Sequence, residues 1–182
     1  MVQIQLGAPR YPHTHFKLLN KQLFSMPRED IAGKLSTEHE MVFKTINSLE
    51  DALSELLKKT LNVYEVDKEQ LKDYACDFME YFNKNVSVHF SIEEDVVFPE
   101  LRGEGLVDEL LKEHREIRTT FKNLIVAEDV ETKLKLLREV MDMLRRHAEK
   151  EDSQLLPLIK SKIPAEKLPE IMEKTRKLLN QI

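Results

Sequence analysis

Apolar residues recur at helical spacing along four stretches of the chain. Thr37 followed by Glu40 reads as a capping box, and His39, Val42, Phe43, Ile46, Leu49, Leu53 and Leu56 then predict a first helix ending near Leu61. Beyond an Asn62–Asp67 connection, Leu71, Ala75, Phe78, Phe82, Val86, His89, Glu93 and Val97 form a second stripe, stopped by Pro99. A turn at 102–105 leads to a third stripe, Leu110, His114, Ile117, Phe121 and Leu124. The fourth reads Leu134, Leu137, Val140, Leu144, His147, Glu151 and Leu155, stopped by Pro157. Pro164 suits the first turn of a fifth element with Leu168, Ile171, Met172, Leu178 and Leu179 on one face. Residues 1–29, interrupted by Pro9, Pro12 and Pro27, are expected to be an irregular extension with at most a short helix at 15–24. The expected fold is all-α: an antiparallel up-down-up-down four-helix bundle over 30–160, with a C-terminal helix at 161–182 packed on it.

Composition narrows this further. A chain of 182 residues fits one domain and buries roughly 70% of the surface its unfolded form exposes, so it needs no metal merely to fold. Four glycines and no tryptophan in a sequence rich in Leu, Lys and Glu argue for long helices over a β-sandwich. The net charge of −5 is spread over mixed charges, with no basic stripe to track phosphates, so nucleic acid is not an expected partner. No apolar run is long enough for a membrane span, and Met1–Gly7 has no signal-peptide character. A cytoplasmic location is expected. The single cysteine, Cys76, is expected to be a small half-buried filler on the second helix.

Polar residues on the apolar stripes carry the chemistry. His89 with Glu93, and His147 with Glu151, each place an imidazole and a carboxylate one turn apart where Leu or Val is expected. His39 and His114 occupy inward positions on the other two helices. Burying an ionised carboxylate without a partner costs several kcal/mol, and a shared cation removes that cost. Imidazole and carboxylate donors without thiolates suit iron or manganese, with zinc possible. Four histidines give four bonds and two bridging glutamates four more. Two octahedral ions need about twelve, so with an oxo or hydroxo bridge about two positions remain for water, O2, NO, peroxide or a further side chain.

The segments TEHEMVF around His39, HFSIEEDVVFPEL around His89 and Glu93, KEHREI around His114, and RRHAEKEDSQLLPLI around His147 and Glu151 resemble the hemerythrin-like HHE cation-binding family. The resemblance covers roughly residues 30–160. It implies a four-helix bundle holding two non-haem iron ions through His39, His89, His114 and His147, with Glu93 and Glu151 bridging. Oxygen-carrying hemerythrins have a second histidine one turn on in the third helix, where this chain has Arg118. The four-His, two-Glu set is more similar to the iron-centre-repair and iron-sensing branches, although the cysteine-containing N-terminal module usual in the repair branch is not seen here.

Function is therefore expected to be binding of, or reaction with, O2, NO or peroxide in sensing, scavenging or iron handling. Two alternatives stand beside it: a metal-stabilised helical interaction module, and a di-iron oxidase or peroxidase, the latter disfavoured by the lack of an ExxH step. His13 and His15 are expected to be exposed, one of them being an alternative fifth histidine. Glu38 and Glu94 flank the candidate ligands and are expected to face water or to orient an imidazole. Phe43, Phe78, Phe82 and Phe121 are expected to line the core.

Overall fold

The computed structural model describes residues 31–59 and 68–181, and among them every regular element is helical. Helix α1 spans Ile31–Lys59. A second rod is assembled from α2 (Lys68–Tyr81), a π turn (Phe82–Val86), α3 (Ser87–Ile92), a second π turn (Glu93–Val97) and a closing 3-10 turn (Phe98–Leu101). Helix α4 covers Gly105–Val126 and α5 Val130–Lys150. A third π turn (Glu151–Leu155) joins α5 to α6 (Leu156–Lys162), and a 3-10 turn leads to α7 (Leu168–Leu179). His13, His15 and the rest of the N-terminal extension, and the 62–67 connection, lie outside the described residues.

The apolar stripes are the buried faces. Leu71, Ala75, Phe78, Phe82 and Val86 of the second rod are at most 4% exposed, as are Leu110, Ile117 and Leu124 of α4 and Leu137, Val140 and Leu144 of α5. Helix α5 packs on α1, α2 and α4, and α7 lies against α1, α3 and the second π turn. Buried apolar residues form two clusters. One gathers Leu49, Leu53, Phe78, Phe82, Phe121 and Leu137; the other gathers Ile31, Leu35, Val97, Leu110, Leu155 and Ile171. Phe82 and Phe121 stack face to face at 3.7 Å in the first cluster.

Four expectations are corrected. Thr37 is not a cap: α1 already runs from Ile31, and the Thr37 hydroxyl donates back to the Gly33 carbonyl at 3.0 Å, a bond open to a threonine inside a helix. Pro157 does not stop the fourth helix. The Leu156 N–H reaches back five residues to the Glu151 carbonyl, closing the π turn, and Pro157 falls in the first turn of α6, where its missing N–H is not needed. Cys76 is exposed, because it sits one position past Ala75 and has turned off the buried face. Phe43 is half-buried beside Val42, lining an open surface groove with Asn47 and Arg145.

Candidate metal centre

Side chains from four helical rods meet between the two apolar clusters. His39 comes from α1, His89 from α3, His114 from α4 and His147 from α5; Glu93 and Glu151 are the first residues of two π turns. Each π turn begins at the carboxylate that lies one turn after its histidine, and such widened turns recur at functional sites. All six residues are buried, with Glu93, Glu151 and His114 at 0% exposure.

They form two overlapping groups able to hold a cation: His39, His89, Glu93 and Glu151, and Glu93, His114, His147 and Glu151. Within each group the donor atoms lie within 4.8 Å of one another. The two glutamates belong to both. Glu151 oxygens lie 3.0 Å from the Nε2 atoms of His39 and His147, and 3.6 and 3.9 Å from those of His89 and His114. Glu93 lies 3.4 Å from His89 Nε2 and 3.3 Å from His114 Nε2.

The outer face of every imidazole is held by a carboxylate. His39 Nδ1 meets Asp152 at 2.7 Å, His89 Nδ1 meets Glu38 at 2.9 Å, His114 Nδ1 meets Glu94 at 2.7 Å and His147 Nδ1 meets Glu113 at 2.8 Å. Each of these acids is the chain neighbour of a central residue on the adjoining rod, so the four contacts close a ring: α1 holds α3, the second rod holds α4, α4 holds α5, and the end of α5 holds α1. Glu38 and Glu94 orient imidazoles, one of the two roles expected of them. Asp152 and Glu113 do the same and were not foreseen; the signal available was an acidic residue directly beside a central one on every rod. Three acids are themselves paired with cations: Glu38 with Lys34, Glu94 with Arg118 at 2.6 Å and Glu113 with Lys150.

An ionised carboxylate only accepts, so each Nδ1 donates outward and Nε2 is the nitrogen left facing the centre, where it can give its lone pair to a cation in exchange for a proton. The Nε2 atoms face one another in pairs, His39 with His89 at 3.3 Å and His114 with His147 at 2.9 Å. None of the four Glu93 and Glu151 oxygens has a hydrogen-bond donor. Six carboxylates against Lys34, Arg118 and Lys150 leave three more acids than lysines and arginines around the four buried histidines. Only protons or metal cations relieve that arrangement, so the donor set fits a bound cation.

Electrostatics agree. Burial alone lowers a histidine's pKa, but the Glu93 charge, the nearby Glu151 carboxylate and the hydrogen bond that His89 donates to Glu38 outweigh it and hold His89 well above its ordinary value. His114 is likewise carried to about 10 against its burial by Glu151, Glu93 and Glu94, and His147 is raised by Glu151 and Glu113. Burial pushes Glu151 up, yet His147, His114 and His39 together draw it well below the usual carboxylate range. Glu94, despite partial burial, sits at about 2 because His114 and Arg118 bind its ionised form.

The model of the hemerythrin HHE cation binding domain matches residues 30–159. The chain belongs to that family. None of the curated proteins and none of the solved structures compared with it matches. Hemerythrin HHE domains bind metal cations, and the buried His/Glu cluster is the part of this member suited to doing so. Among the described residues no helix is long and apolar enough to cross a membrane.

The hemerythrin site is packed unequally on its two sides. Phe90 stacks on His114 at 3.8 Å and meets His147 edge-on at 5.4 Å, while Phe98 covers His114 at 5.8 Å. Arg118 lies over the outer part of that lid, 5.2 Å from the Phe90 ring centre. On the other side His39, His89, His147 and Glu151 border a cavity of about 30 Å³ whose remaining wall is largely apolar, with Val42, Val86, Leu144 and Ala148.

Proposed function

We propose that this hemerythrin-like protein holds two iron ions, bridged by oxo or hydroxo and by Glu93 and Glu151, with His39 and His89 on one ion and His114 and His147 on the other. It uses them to bind or react with O2, NO or peroxide in sensing, scavenging or iron handling in the cytoplasm. The host is an antiparallel up-down-up-down bundle over 30–160, with 161–182 as a helix docked on it and 1–29 as an extension. The observation that carries this reading is a buried cluster of four inward-facing imidazoles around four carboxylate oxygens that have no hydrogen-bond partner. Manganese or zinc would satisfy the same charges, but the cavity beside His39 and His89 favours a centre that also takes an outside molecule.

When bound, iron supplies a change of oxidation state and an electron-pair acceptor for such a ligand. The chain's residues do the rest. The ring of Asp152, Glu38, Glu94 and Glu113 fixes which imidazole nitrogen faces inward and makes each ring more basic toward a cation. The two apolar clusters exclude bulk water from above and below. Phe90 and Phe98 shield the His114 side.

A structural-ion reading is separated from this one by exchange. Protein loaded anaerobically with ferrous iron should show oxo-to-iron charge-transfer absorption after exposure to air and a new absorption band with nitric oxide. A spectrum unchanged by air and nitric oxide, with zinc and iron forms behaving alike, would favour the interaction module.

A further inference from the structure

The second rod contains a π turn that carries none of the six central residues. It spans Phe82–Val86, and it opens directly after Tyr81. An extra residue in a helix re-aims the side chains around it, and here Tyr81, Asn85 and Val86 all border the cavity that His39, His89 and Glu151 also border. Asn85 steadies the widened turn by donating from Nδ2 to the Tyr81 carbonyl at 3.1 Å. Tyr81 therefore brings a phenol to a chamber that is otherwise mostly apolar beyond the histidines and carboxylates. The chamber's volume of about 30 Å³ suits a two- or three-atom ligand, since a water needs about 10–15 Å³ on that measure.

We propose that Tyr81 is a positioning residue for the outside ligand: its phenolic O–H donates a hydrogen bond to a diatomic or small linear anion seated in this cavity, on the His39/His89 side of the cluster. This rests on the metal centre proposed above and adds where the ligand sits and what holds its outer atom. Thr45, buried on α1, is close enough to the Tyr81 hydroxyl to influence its ionisation. Burial, opposed by Thr45 and reinforced by the Glu38 charge, pushes Tyr81 up to about 12, so the donor stays protonated throughout the neutral range. Around His114 there is no such seat, because Phe90 and Phe98 lie against its ring.

The test uses full-length protein loaded with iron, with azide as the probe, in wild type, Tyr81→Phe and Ala148→Leu. Metal content and thermal unfolding are measured on the same samples. Tyr81→Phe keeps the ring and should hold the same iron with unchanged unfolding. Its azide affinity should fall about two- to tenfold, the worth of one hydrogen bond. The azide stretching frequency should shift between H2O and D2O in wild type and lose that shift in Tyr81→Phe. Ala148→Leu fills the cavity from α5 and should block azide while retaining iron. Azide affinity and isotope shift unchanged in Tyr81→Phe would overturn the inference while leaving the iron centre standing. Wild-type protein that takes up no iron would overturn both, and Tyr81→Phe decides the matter even if Ala148→Leu fails to fold.

Discussion

The α1/α3 half of the centre and the α4/α5 half use the same parts and are packaged differently. Each half contributes two histidines, each histidine leans on a carboxylate from the adjoining rod, and Glu93 and Glu151 belong to both. Yet His114 is roofed by Phe90, Phe98 and Arg118, while both His39 and His89, and of the other half only His147, border a cavity. The difference teaches that near-equivalent donor sets can be given separate tasks by their apolar surroundings alone. The α1/α3 half is open to the cavity at both of its histidines, the α4/α5 half at only one.

The largest effect should come from the residue both halves depend on. Glu151→Gln removes one of the two shared charges and the carboxylate 3.0 Å from the Nε2 atoms of His39 and His147, and it should cost both ions. Metal analysis after gel filtration should find close to none, and two retained ions per chain would refute the shared role. Next, Phe90→Ala strips the roof from the α4/α5 half and leaves a void against Phe82 and His114. Metal-free stability should fall by about 3–5 kcal/mol in denaturant unfolding. A loss under about 1 kcal/mol would mean that the roof collapses freely onto His114.

Smaller effects sharpen the comparison. Glu94→Gln and Asp152→Asn each replace the carboxylate behind one imidazole, and metal affinity should drop about 10–100-fold in competition with a chelator. Glu94→Gln should cost more, because it also releases Arg118 from the roof, whereas the Asp152 side chain is 37% exposed. Equal losses would show that the roof adds nothing.

The smallest expected effect is on pH. His114 is raised to about 10 in the folded protein, from near 6.5 unfolded, so without metal its stabilising contribution is full below pH 6.5 and is lost as pH climbs toward 10. His89 and His147 are shifted in the same direction. Metal-free protein should thus melt at a lower temperature at pH 9 than at pH 6.5. Metal-loaded protein should not share that fall, since metal binding displaces the same protons. A metal-free melting temperature that rises over this range would contradict the sign.

Much of this was legible because burial leaves periodic marks. Val140, Leu144, His147 and Glu151 step along one face as Leu or Val would, so polar residues on that stripe stood out as inward-pointing. The π turns were not legible. A single i→i+5 turn shifts the stripe by one residue, which spacing absorbs without a visible break, and Pro157 then looks like a stop when it is the first turn of α6. Asp152 and Glu113 escaped notice for a related reason: an acid beside an inward residue resembles an ordinary solvent-facing charge until the adjoining helix is in place. Phe43 and Cys76 turn off the core although each adjoins a buried position, Val42 or Ala75, and residue type alone does not say which neighbour faces in.

Anomalous diffraction at the iron absorption edge, from crystals of protein loaded with ferrous iron without air, tests the central claim most directly. Two peaks per chain are predicted, one among His39, His89, Glu93 and Glu151 and the other among Glu93, His114, His147 and Glu151. A single peak, or iron only at the protein surface with the six side chains still paired to one another, would contradict it.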